Sequence, residues 1–246
     1  MLIFKYAKAG SAVYMPHLML LRTFSMAIRR CGLSVRFSEG FSPHERIFFA
    51  PPLPIGTASE CEYFAVDSSE SPEIFMEKLN GSLPPGIQIL KAAACAENPN
   101  FAAASYAAEY EIITKNEEQK TKNAEGDLAG EAIGRWSGSS SALPGGPQIP
   151  ALFNGILAQG RYEIAYEQKG ETVTKDVRGL IFNLSGQENR YLFTLACGNP
   201  NLRADRLMSH LLTSSGGGDA FFTVTKKRLF DKNFADIDEL FFSLRL

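Results

Sequence analysis

The sequence contains none of the short motifs that announce a standard active site. Neither GxGxxG nor GxxxxGK[ST] occurs, which removes the backbone cradles used for dinucleotides and nucleoside triphosphates. GxSxG and HExxH are also missing, so the hydrolase elbow and the helical zinc pair are excluded. The four cysteines, Cys31, Cys61, Cys95 and Cys197, stand far apart with no CxxC among them. A zinc site or iron–sulfur cluster held by this chain alone is therefore not expected, and buried free thiols are. No apolar run reaches the roughly 18 residues of a membrane span, and no charged-then-apolar leader opens the chain. The expectation is a cytoplasmic protein without membrane contact.

What is present is ordinary globular material: 246 residues, 45 % hydrophobic and 21 % charged. That is enough for one large domain or two of roughly 100 residues. The formal net charge of −2 is unevenly spread. Residues 1–50 carry seven cations (Lys5, Lys8, Arg22, Arg29, Arg30, Arg36, Arg46) against Glu39 and Glu45, giving +5 and leaving −7 on the remainder. Such asymmetry points to a basic face for an anionic partner, with charges that cancel in three dimensions as the plain alternative.

The pattern of residues predicts a strand in "LIFKYAKAG" and a helix from His17 to Cys31 capped by Gly32. The helix has an apolar stripe of Leu18, Leu21, Phe24, Ile28 and Cys31, with Arg22, Arg29 and Arg30 off it. "LSVRFSEGF" and "ERIFFAP" flank a turn, "CEYFAVD" is a strand, "SPEIFMEKLNGSL" a second helix with Ser71 as N-cap, and "GIQILKAAAC" a strand. This is the βαββαβ order of a ferredoxin-like module.

The second half repeats the order. "SYAAEYEIIT" is a strand, followed by a polar tract over about 115–146, with Trp136 its one strong apolar anchor, that has the composition of a flexible insertion. "PQIPALFNGILAQG" is a helix, the segment from Arg161 a hairpin turning at Lys169-Gly170 and continuing past Arg178, "NRYLFTLAC" a strand, "NLRADRLMSHLL" a helix and "AFFTVTKKRLF" a last strand before a short amphipathic tail. The fold class expected is α+β, two tandem ferredoxin-like modules at 1–97 and 98–246, with a single larger sheet as the alternative. The glycine-rich "SSGGGDA" reads as a helix-to-strand loop, since no helix follows closely enough to make a phosphate cradle.

Three histidines bound the acid–base options. His210 reads as a helix residue. His17 opens the first helix after Pro16, where it completes the first turn or acts as a base. His44, between Pro43 and Glu45 with Arg46 beyond, has the side chain whose ordinary pKa suits proton transfer near neutrality, though a solvent-facing turn histidine fits equally. Around it, "RFSEGFSPHERIFF" interleaves Arg36, Phe37, Phe41, Arg46, Phe48 and Phe49. That mixture suits stacking of single-stranded RNA with arginines on phosphates, or a half-buried hairpin whose phenylalanines are core.

Residues 17–64 resemble the start of the bacterial radical SAM-linked protein family, a domain of unknown function. The resemblance is carried by His17-Leu18, by Ala27-Ile28-Arg29-Arg30-Cys31-Gly32-Leu33, by Ser38-Glu39-Gly40-Phe41-Ser42-Pro43-His44, by Pro52-Leu53-Pro54-Ile55-Gly56 and by Glu62-Tyr63. "KGETVTKDVRGLIF" and "NLRADRLMSHLL" extend it along the chain. Met19, Ser42 and Glu45-Arg46 depart from the family's Asp, Asn and Pro-Lys. The resemblance implies an accessory role beside a radical SAM protein in RNA modification or processing. Any iron–sulfur cluster and SAM would then belong to the partner, with no cofactor in this chain. The tandem arrangement also resembles CRISPR-repeat endonucleases, which cut RNA without metal by means of a histidine.

The leading expectation is a module without catalytic activity of its own that binds RNA or docks the partner enzyme. Arg22, Arg29, Arg36, Phe41, His44 and Arg46 form its contact face. A metal-independent endoribonuclease using His44 or His17 and a purely structural partner subunit are the alternatives.

Overall fold

The computed structural model describes residues 1–115, 149–168, 170–216 and 220–243. The expected insertion with Trp136 falls outside these from residue 116 onward, as do Lys169 of the second-half turn and the centre of the glycine-rich loop.

Ten strands and six helices are described. In chain order they are β1 (Leu2–Lys8), α1 (His17–Arg30), β2 (Ile47–Phe49), β3 (Ala58–Val66), α2 (Pro72–Asn80), β4 (Ile87–Ala94), α3 (Phe101–Ala104), β5 (Ala107–Lys115) and α4 (Ile149–Ala158). There follow β6 (Glu163–Gln168), β7 (Glu171–Asp176), β8 (Ile181–Gln187), β9 (Arg190–Ala196), α5 (Ala204–Ser214), β10 (Phe221–Phe230) and α6 (Ile237–Phe242). The protein is an α+β structure around one large mixed sheet of eight strands, ordered β4-β1-β3-β10-β5-β9-β8, with β2 also paired to β3. All pairings are antiparallel except β3–β10, which is parallel and short: Thr225 opposite Ala58 and Lys226 opposite Ser59. β2 takes the other end of the same β3 edge, Phe64–Val66.

Side-chain alternation sorts the apolar residues into two cores. Leu2, Phe4, Phe64 and Val66 pack with Phe24, Ala27 and Ile28 of α1 and Phe75 and Leu79 of α2. Ile3, Cys61, Tyr63 and Ala65 join α4, α5 and α6 through Phe153, Leu207, Leu211 and Ile237. Of the four thiols only Cys61 is buried; Cys31, Cys95 and Cys197 are half-buried, because each stands at an element's edge or just beyond it.

Local signals match local structure. Gly32 adopts φ 63° and its N–H bonds Arg29 O, while Leu33 N–H bonds Ile28 O, a Schellman ending that only a residue tolerant of left-handed backbone makes cheaply. The Ser71 side chain accepts from Ile74 N, with Pro72 as the first helical residue.

Three expectations need correction. The buried stripe of α1 is Leu20, Phe24, Ala27 and Ile28, and Leu18 is 70 % exposed. The inner pair of the first half is β2–β3, so "RFSEGFSPHER" is a separate excursion before β2, joined across by the Phe37–Glu45 bridge and by Ser38 to His44. The hairpin after Arg161 is likewise not continuous with β8. β6 and β7 pair only with each other, and Arg206 of α5 sits 4.2 Å over the Tyr166 ring to hold them. Among the described residues no helix is long and apolar enough to cross a membrane.

Candidate functional site

Residues 36–46 leave the core and come back to it. Arg36 N–H donates to Asp67 O (2.7 Å), Arg46 N–H to Arg36 O (2.9 Å) and Asp67 N–H to Arg46 O (3.1 Å), so the base of the excursion is stitched to the end of β3. Nearer the tip, Ser38 N–H donates to His44 O (2.9 Å), and the Ser38 hydroxyl accepts from His44 N–H (3.1 Å) while meeting His44 Nδ1 at 2.8 Å. Gly40 supplies a φ of 118°, open to glycine alone without strain.

Two carboxylates brace this hairpin, Glu45 of its own second arm and Asp67 just beyond β3. Glu45 is held by the Arg29 guanidinium and by Ser25 Oγ (3.2 Å), both on α1. The hydrogen bond from Arg29 holds the Glu45 carboxyl below its ordinary range and in turn raises Arg29. Asp67 takes Arg46 at 2.9 Å and has Arg36 Nε at 3.8 Å. Arg29, Arg36 and Arg46 are thus brought to one surface, each facing a carboxylate. Arg30 donates instead to Ser82 O and Oγ. Arg22 is exposed and has no ion pair among the described residues.

Large apolar side chains are exposed on the same two elements, the hairpin and α1. Phe41 at the tip is fully exposed and Phe37 about half exposed, against the reading of Phe37 as core. Met19 and Met26 of α1 are also more than half exposed. Phe49, by contrast, stacks on Phe64 (5.5 Å between centroids) and meets Phe24 edge-on, so this member of the second aromatic run packs against the core.

His17 belongs to a different neighbourhood from His44. With Tyr6, Lys8 and Glu62 it lines a recess beneath Pro51 and Pro52 that has room for about one water molecule. The proline loop is tied down by Gly56 N–H to Val13 O (3.0 Å) and Ala50 N–H to Tyr63 O (3.0 Å). Burial lowers the His17 pKa, partly offset by Glu62. Burial also lowers Lys8, whose ammonium donates to Met15 O at 3.0 Å. Below them Glu62 Oε1 accepts from Ser59 Oγ (2.8 Å) and Lys226 Nζ (3.0 Å). Burial is the largest influence and opposes the Lys226 charge, but the Glu62 carboxylate, Cys197, Cys61 and Tyr110 together outweigh it and hold Lys226 well above its ordinary range.

Sequence reasoning passed over Lys8, Glu62 and Lys226 as site residues. The available signal was a charge interrupting an otherwise uncharged strand run, as Glu62 does in "CEYFAV". His210 packs edge-on against Tyr162 at 5.7 Å, an ordinary helix residue as expected. Asp176 and Arg178 are structural: Asp176 accepts from Tyr162 N–H and Arg178 N–H, and Arg178 donates to the carbonyls of Leu157, Gln159 and Ile181.

No curated protein matches the chain. The sequence pattern of one bacterial family spans residues 2–204, so it takes in the hairpin, the recess and the Asp176–Arg178 cap together. The chain belongs to that family, described as an uncharacterised protein conserved in bacteria (DUF2344).

Proposed function

We propose that this chain is a docking module for a partner enzyme, a radical SAM protein by the resemblance given above, and that α1 and the 36–46 hairpin are the contact face. The observation that carries the reading is Phe41: a fully exposed aromatic ring on a tip whose base is stitched and whose arm is clamped by Glu45. A rigid hairpin presenting bare apolar area is what an interface anchor requires, because little ordering entropy remains to be lost on binding.

The arginines favour a protein over RNA on this face. Glu45 and Asp67 already offset much of the charge of Arg29, Arg36 and Arg46, and of the four arginines Arg22 alone has no carboxylate partner among the described residues. The architecture we infer is two tandem ferredoxin-like units, 1–97 and 98–246. In its support, β4-β1-β3-β2 and β10-β5-β9-β8 are the same order of equivalent strands, each in a strand–helix–strand–strand–helix–strand sequence if β6 and β7 are taken as an insertion.

The test is co-purification of the nuclease-treated protein with a radical SAM protein from the same bacterium, the partner the resemblance implies. Phe41→Ala should weaken the complex by about 30-fold, the effect of losing roughly 2 kcal/mol at an anchor. Undiminished binding by Phe41→Ala, or a complex that forms only with RNA present, would remove this reading.

A further inference from the structure

We propose that the recess beneath Pro51 and Pro52 binds one oxyanion, a carboxylate or phosphate group, between the Lys8 ammonium and the His17 imidazole. The charge inventory carries the proposal. Lys8, Glu62 and Lys226 are all nearly sealed from solvent. Glu62 Oε1 is committed to Lys226 at 3.0 Å and to Ser59 at 2.8 Å, so its single negative charge is matched by Lys226. Lys8 feels Glu62 only through space and makes no ion pair with it; its ammonium donates to the Met15 carbonyl oxygen at 3.0 Å, a dipole and not a counter-charge. A buried ammonium without its own counterion is strongly disfavoured, and an anion beside it removes the penalty.

The recess supplies the place. It adjoins Lys8 and has space for about one water molecule, enough for a single oxygen of the anion while the rest of the group stays at the mouth beside half-buried His17. His17 is the first residue of α1, and that helix end has neither a side-chain cap nor an acidic residue in its first turn. Its partial positive charge adds to that of Lys8. Two other titratable groups line the space: the Glu62 carboxylate, neutralised by Lys226, and Tyr6, whose pKa is raised by burial and by Glu62 so that it stays a neutral phenol. The site lies at the start of α1, has no residue of the 36–46 hairpin in its lining, and does not depend on partner docking.

The experiment is an NMR titration of the full chain, following the imidazole resonances of its three histidines with sodium phosphate and, separately, sodium acetate. Chloride keeps ionic strength constant, and His44→Gln and His210→Gln assign the signals. The expected result is a saturable shift confined to His17, with the His17 pKa rising on saturation. That response should be lost in Lys8→Met and in Lys8→Gln, two variants so that misfolding of one leaves the test intact. Saturation by only one of the two salts identifies the anion class. A shift that stays linear, appears equally at all three histidines, or survives loss of Lys8 overturns the proposal.

Discussion

Lys226 Nζ lies 3.0 Å from the Glu62 carboxylate, with both side chains almost wholly buried. The pair spans the β3–β10 junction, where the main-chain register consists of Thr225–Ala58 and Lys226–Ser59 alone. So short a parallel seam has few ladder hydrogen bonds, and the ion pair with Ser59 makes a polar lock across it.

Removing one partner of this lock strands the other charge. Lys226→Met or Glu62→Gln alone should each cost about 3–5 kcal/mol in urea unfolding, while the double replacement should recover a large part of that loss. Additive losses in the cycle would show that the two side chains act independently.

Acid should release α6 from the sheet. Burial alone would raise the Asp238 carboxyl, but Lys5 (2.7 Å), Lys91 (2.9 Å) and the Tyr63 hydroxyl (2.7 Å) outweigh it and hold the pKa below the ordinary aspartate range. A depressed folded-state pKa contributes stability that is complete above the unfolded-state value and is lost as pH falls through the folded one. Hydrogen exchange across residues 237–242 should therefore accelerate below the ordinary aspartate pKa. In Asp238→Asn it should be fast already at neutral pH, with that pH dependence flattened.

Phe41→Ala should leave unfolding unchanged within about 0.5 kcal/mol, because a fully exposed ring contributes no buried area. Measured beside the partner-binding loss, this separates an interface residue from a folding residue. A clear drop in stability would assign Phe41 to the fold instead.

Arg178 closes the end of α4 by donating to Leu157 O (2.7 Å), Gln159 O (3.1 Å) and Ile181 O (2.9 Å). Arg178→Met should destabilise by about 1.5–3 kcal/mol, the range for hydrogen bonds to a charged group, and Arg178→Lys should recover only part, since an ammonium cannot span three carbonyls as a planar fork does. Thermal unfolding of the three proteins checks the order.

Elements governed by nearest neighbours were legible in the sequence. The α1 ending at Gly32, the Ser71-Pro72 start of α2 and strands β1, β3, β4, β5, β9 and β10 follow from caps and alternation, which act over a few residues. The α1 stripe was misjudged at Leu18 because periodicity does not say which of two overlapping apolar rows meets the sheet; Phe4 and Phe64 select the row containing Phe24 and Ile28. The hairpin was readable as a turn carrying Arg36, Phe41, His44 and Arg46, but its exposure was not, since it depends on β3 already being occupied by β2.

By itself, then, the sequence determined the kinds and order of most elements, the net positive charge of the first 50 residues and the absence of any standard catalytic motif. Only the tertiary structure decided that Arg29, Arg36 and Arg46 face Glu45 and Asp67, and that Lys8, Glu62 and Lys226 converge under the proline loop with His17 apart from His44. The reason is separation along the chain. Glu62 and Lys226 stand 164 positions apart. No local pattern couples charges at that distance; the strand order does, by laying β10 against β3.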